Sequence, residues 1–136
     1  MEMNITQKPG AVAILHLKGT LDGSNYQSLI TEAQKLYDSG VRNIILDLSQ
    51  LTFMSSAGIS ALHRVALIFR GEKQAALEEE GWASYRAISR ERDSGLQKHV
   101  KLLSPVERVQ NSLELVGFTT FFEIHTDADM AVASFQ

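Results

Sequence analysis

Apolar and polar positions alternate along the first forty residues with two different periods. Met3–Gln7 and Ala11–Lys18 read as two strands joined at the turn dipeptide Pro9-Gly10. In the second, Ala13, Leu15 and Leu17 alternate with Val12, Ile14, His16 and Lys18. The first set predicts a fully buried face and the second a partly buried one. Ser24-Asn25-Tyr26-Gln27 is a capping-box pattern, and Leu29, Ile30, Ala33, Leu36 and Tyr37 mark a helical stripe that Gly40 ends. Asn43–Leu48 is short and apolar, a buried strand; Ser49-Gln50 breaks it, and Leu51–Met54 carries the chain back. Beyond Ser55-Ser56-Ala57-Gly58, the spacing of Ile59, Leu62, Ala66 and Phe69 predicts a second helix. Strand, helix and strand in this order imply parallel pairing and a right-handed crossover.

The pattern changes over 71–98, which is dense in charge and weak in period. Glu78-Glu79-Glu80 is acidic; Arg86, Arg90 and Arg92 are basic. Ala75–Glu80 can extend the second helix. Beyond Gly81 both a short helix and a solvated loop stay open, with Trp82, Tyr85 and Ile88 as the residues able to pack. Regular patterns then return. His99–Leu103 reads as a strand. Ser104-Pro105-Val106-Glu107 reads as a helix start with Ser104 as N-cap, and Val106, Val109, Leu113 and Val116 as the buried stripe ending at Gly117. Thr119–His125 reads as an apolar strand, and Thr126-Asp127-Ala128-Asp129 as the cap of a last helix carrying Met130, Val132 and Ala133. The alternation predicts a single α/β domain over 1–136: a mixed central sheet with four helices and a long charged connection at about 71–98.

Composition narrows the function. A formal net charge of -3 argues against a nucleic-acid binder, which normally carries a basic patch. There is no cysteine, hence no disulfide framework and no thiolate metal site. No apolar run reaches membrane-spanning length, and MEMNITQKPG lacks a signal-peptide pattern, so a cytoplasmic location is expected. His16, His63, His99 and His125 lie far apart, and none pairs at metal-ligand spacing. No phosphate-binding glycine loop, nucleophile elbow or dinucleotide motif is present. Ser56 has no sequence-visible base to activate it, and the chain reads as a binding module, with no enzyme, cofactor or metal site expected.

The stretch with chemistry of its own is Ser55–Gly58. It lies where a strand hands over to a helix N-terminus, whose free N–H groups and dipole favour an anion. One serine is expected to cap the helix. A phosphate on the other would land in that field.

This stretch resembles the signature of the STAS family, which includes bacterial anti-sigma factor antagonists. Their Phe-Met-Asp-Ser-Ser-Gly-Leu-Gly run is matched by Phe53-Met54-Ser55-Ser56-Ala57-Gly58-Ile59-Ser60. Ser56 falls on the phosphoacceptor and Gly58 on the glycine, while Ser55 replaces the aspartate and Ala57 the second serine. Leu17-Lys18-Gly19-Thr20-Leu21-Asp22 is similar to the family's Leu-x-Gly-x-Leu-Asp. The resemblance implies that Asp22 sits beside Ser56; from the residues alone, a role limited to shaping the turn is equally open. It further implies a STAS-like fold with a long insertion between the second helix and the fourth strand. The implied function is an antagonist that binds an anti-sigma factor serine kinase through Asp22, Ser55, Ser56, Ala57, Gly58 and Ile59. By the same resemblance, phosphorylation of Ser56 by that kinase is expected to end binding, and a separate PP2C-type phosphatase to reset it. The alternative is a STAS module without phosphorylation, serving as a scaffold or as a subunit of a lipid or organic-anion transport system. Neither reading involves nucleic acid or membrane insertion, and the choice between monomer and homodimer stays open.

Overall fold

A computed structural model describes residues 1–71 and 96–136. The five strands among the described residues are β1 (Glu2–Lys8), β2 (Val12–Leu21), β3 (Asn43–Met54), β4 (Val100–Leu103) and β5 (Glu123–His125). The helices among the described residues are α1 (Tyr26–Asp38), α2 (Ser56–Phe69), α3 (Glu107–Leu115) and α4 (Ala128–Ala133). The strands lie in the order β1-β2-β3-β4-β5. β1 runs antiparallel to β2, and all other pairs are parallel. This is the mixed sheet with four helices that the alternation predicts. The expectations for Ala75–Glu80 and for Trp82, Tyr85 and Ile88 fall outside the described residues.

Side-chain parity sets the layers. Ala13, Leu15 and Leu17 of β2, Ile44, Leu46 and Leu48 of β3, and Val100 and Leu102 of β4 share one face. That face packs on the apolar stripes of α1, α2 and α3 as one core. Val12, Ile14, Ile45 and Leu103 face the other way and are covered by Ala131 of α4, with Ala128, Val132 and Phe135. Burying each large aliphatic side chain contributes about 1.5–3 kcal/mol. Gly40 and Gly117 end α1 and α3 in the same manner. The N–H of Gly40 donates to Tyr37 O and that of Val41 to Leu36 O; Gly117 and Phe118 donate to Glu114 O and Leu113 O. Both glycines have positive φ, as this cap requires.

Several elements differ from expectation. Ser49-Gln50 does not break the third strand, which runs unbroken to Met54. Its irregularity is two bulges against β2: His16 pairs with Asp47 but Lys18 with Gln50, and Gly19 pairs with Leu51 but Thr20 with Phe53. Asp47 Oδ1 accepts the Ser49 N–H (3.0 Å) at the first, and Thr52 Oγ1 donates to Gly19 O (3.0 Å) at the second. Ser24 does not cap α1; Asn25 is the N-cap, and Ser24 is turned back onto Asp22. Ser104 does not cap α3. It has φ +49, its N–H donates to His125 O (2.8 Å), and α3 starts after Val106. It is therefore committed to tying the end of β4 to β5.

Only Glu123–His125 of the expected Thr119–His125 strand is extended. Phe118, Phe121 and Phe122 are spaced as on a helix, and the N–H groups of Phe121 and Phe122 both bond to Phe118 O. A strand would send Phe121 and Phe122 to opposite faces. The turn instead brings the three rings together, fully buried, with centroids 4.7–5.4 Å apart. In α4 the buried residue is Ala131, while Met130 is 67% exposed.

Candidate functional site

The C-terminal ends of β2 and β3 lie side by side, and the site is built from the residues just past these two ends. The last registered pair is Leu21 with Met54. One residue later the Ser55 N–H donates to Leu21 O (2.9 Å), fastening the two loops together. Asp22 and Ser56 each stand one residue beyond that bond.

On the β3 side, Ser55 is extended (φ -85°, ψ 177°) and half-buried. It is the N-cap of α2: its Oγ accepts the Gly58 N–H at 3.4 Å and its carbonyl accepts the Ile59 N–H at 3.0 Å. Ser56 is the first residue of the helix and is exposed. The capping serine and the accessible serine are thus different residues. The first turn of α2 carries no acidic side chain, so no carboxylate of its own occupies the field of its N–H groups.

Gly58 is buried where the helix presses on the β2 end. A Cβ there would lie 2.8 Å from Met54 Cγ and 2.9 Å from both Leu21 Cγ and Leu21 O. Glycine lets the first turn seat directly on Leu21 and so fixes where Ser56 stands. Ala57 and Ile59 are half-buried, with Ile59 packed against the main core.

On the β2 side, Asp22 shapes the turn into α1. Its Oδ1 accepts the Ser24 hydroxyl (2.5 Å) and the Ser24 N–H (2.9 Å), and its Oδ2 accepts the Thr20 hydroxyl at 3.4 Å. The Ser24 side chain and backbone hydrogen bonds hold the Asp22 carboxyl below its ordinary pKa. Asn25 locks the loop: its Nδ2 donates to Thr20 O (2.8 Å) and its Oδ1 accepts the Asp22 N–H (3.0 Å). The turn-shaping role of Asp22 is therefore present, in a loop bonded to the one that carries Ser56.

Thr20, Asn25 and Phe53 belong to this surface, and no sequence signal singles them out as site residues. Phe53 pairs with Thr20 and is 41% exposed. Alternation along β3 would hide either Thr52 or Phe53, but the bulge between Leu51 and Phe53 leaves both exposed. Among the described residues, no group of three or more histidines or carboxylates is placed to hold a metal ion. His16 and His125 are satisfied side chains: His16 lies between Thr6 Oγ1 (2.9 Å) and Asp47 Oδ2 (2.7 Å), and His125 bonds Glu123 (2.8 Å).

The STAS domain family model matches residues 2–73. A protein of Bordetella bronchiseptica, BtrV, provisionally named an anti-sigma factor antagonist, is 24% identical over 129 residues, covering 95% of this chain and 90% of its own. An anti-sigma factor antagonist from Mycobacterium paratuberculosis superposes with TM-score 0.69 at 13% identity, covering 98% of this chain and 92% of that one. The anti-sigma factor antagonist SpoIIAA in its unphosphorylated form gives TM-score 0.62 at 15% identity, with 96% and 93% covered. At these identities the solved structures show the fold.

Proposed function

The chain belongs to the STAS domain family, and from that premise we propose that it is an anti-sigma factor antagonist switched by phosphorylation of Ser56. The observation that carries this reading is the division of labour at the α2 N-terminus. Ser55 caps the helix from a half-buried position, and Ser56 stands exposed at its first residue. A phosphoserine brings about -1.5 to -2 charge and three acceptor oxygens. At Ser56 the domain itself tolerates that charge, because the helix N-terminus favours anions. A partner docked over Asp22, Ser56 and Ile59 meets it as repulsion and desolvation cost. Binding to an anti-sigma factor kinase then ends without unfolding, and a PP2C-type phosphatase restores it. The SpoIIAA fold is solved in both an unphosphorylated and a phosphorylated form, which supports a fold that outlives the modification.

The test is mass spectrometry after incubation with ATP and the cognate kinase, joined to a binding assay. Phosphate is expected on Ser56, and Ser56→Ala should bind the kinase and resist release by ATP. Phosphate on Ser55 or Ser60 would displace the proposed site. Ser55 and Ala57 in place of the family's aspartate and second serine favour one other reading, a STAS module acting without phosphorylation as a scaffold or transport-system subunit. Absence of any kinase partner or modified serine in the cell would select it.

A further inference from the structure

β1 is an edge strand: it pairs with β2 on one side, and among the described residues no strand pairs with its other side. Natural sheets protect such edges with proline, bulges or inward charges. Glu2–Lys8 contains no proline, and its register against β2 is unbroken over all seven pairs. Near its middle Ile5 is 41% exposed, although it stands opposite fully buried Leu15. Among the described residues the strand is therefore regularly paired with β2, unpaired along its other side and apolar at its centre.

We propose that β1 pairs antiparallel with β1 of a second copy of this chain, about a two-fold axis through Ile5, joining two five-stranded sheets into one. The sequence of the strand selects this register. An axis at Ile5 sets Glu2 opposite Lys8 of the second copy at both ends of the ladder, Met3 opposite Gln7, Asn4 opposite Thr6, and Ile5 opposite Ile5. Opposite residues in a continuous sheet share a face, so the axis must fall on a residue. Moved to Asn4, it puts Glu2 against Thr6 and takes Lys8 beyond the strand. Moved to Thr6, it puts Asn4 against Lys8 and leaves Glu2 without a neighbour. Only the Ile5 centre matches both charges. Within the chain Glu2 already stands opposite Lys18, so the junction carries a row of Lys18, Glu2 and the second copy's Lys8 with alternating sign. Opposite charges across a ladder stabilise it and like charges do the reverse.

Sedimentation of the full chain at low ionic strength should show a concentration-dependent dimer. Glu2→Lys should weaken it about tenfold, since each dimer exchanges two attractive pairs for two repulsive ones. Lys8→Glu should act alike, and the Glu2→Lys/Lys8→Glu double variant should regain the dimer. The chain has no native cysteine, which permits a direct test of register. Opposite Cα atoms in an antiparallel ladder are about 4.5–5.5 Å apart, within disulfide reach. Ile5→Cys should cross-link on mild oxidation, whereas Gln7→Cys, which faces Met3, should not. A monomer at the highest soluble concentration overturns the proposal. So does a dimer whose affinity the charge swap does not restore, or one in which Gln7→Cys cross-links as readily as Ile5→Cys.

Discussion

At the residue scale, Gly58 decides the geometry of the candidate site. A methyl group there would meet Leu21 Cγ and Leu21 O at 2.9 Å, and Leu21 is fully buried at the end of a paired strand. The obstacle cannot move without disturbing the β2–β3 ladder. Alanine would gain up to about 1 kcal/mol in helix propensity, while overpacking of this kind costs about 1–3 kcal/mol. Gly58→Ala is expected to lower the melting temperature and shift the first turn of α2; an unchanged melt would mean that the turn yields freely. The serines beside it should separate cleanly. Ser55→Ala removes a cap and should cost up to about 1 kcal/mol, at the lower end because the bond is 3.4 Å long. Ser56→Ala changes an exposed position and should stay within about 0.5 kcal/mol of the parent. Ser55→Asp keeps the cap and restores the charge of the resembled motif. With the same kinase it should be phosphorylated faster than the parent, and equal initial rates would show that the aspartate plays no part in transfer here.

At the element scale, α4 is the piece held by polar contacts. It has six residues, too few to be stable alone. Lys101 is 4% exposed; its Nζ donates to Ser134 Oγ (2.6 Å) and Ser134 O (3.3 Å) just past the helix, pairs with Glu123 (3.3 Å), and lies 4.5 Å from the Phe135 ring centre. A cation at a helix C-terminus is favourable. Burial pushes the Glu123 carboxyl up, but hydrogen bonds from Lys101 and His125 outweigh it and leave its pKa below the ordinary 4.5. A depressed folded pKa contributes stability above the unfolded value, and that contribution is lost as pH falls through the folded one. Stability should therefore decline on acidification below about pH 4.5 more steeply in the parent than in Glu123→Gln. Parallel curves would show that the pair is screened by solvent. Lys101→Met should raise amide exchange in Ala131–Phe135 while leaving β2 and β3 protected. None of this was legible in the sequence, because it joins residues from β4, β5 and the C-terminus. Local signals fared according to competition. Gly40 and Gly117 end their helices as expected, since nothing else claims them. Ser24 and Ser104 were each drawn into another contact, by Asp22 and by the β5 end. The Phe118–Phe122 turn was readable in principle from its spacing of three and four, but the β-propensity of aromatic and threonine residues masked it.

For the whole molecule, the order of elements was legible because each strand and helix buries a face with its own period. The bulges of β3 were not, since they depend on which β2 residue lies opposite. The chain beyond residue 95 is integral to the fold. β4 is buried at all four positions and lies between β3 and β5, with Ile44 opposite Val100 and Leu46 opposite Leu102. The segment 72–95 thus connects α2 to an inner strand, and cutting it differs from shortening it. Gly81–Ser94 lie outside the described residues, and their sequence is charged and weakly periodic, with little apolar surface to contribute to a core. The entropy of closing a loop changes slowly with length, by about 0.6 kcal/mol per doubling. Replacing Gly81–Ser94 by a short Gly/Ser link is therefore expected to leave one cooperative unfolding transition within about 1 kcal/mol of the parent. A loss of several kcal/mol would assign Trp82, Tyr85 or Ile88 to the core, and single alanine substitutions at those three positions would then identify which.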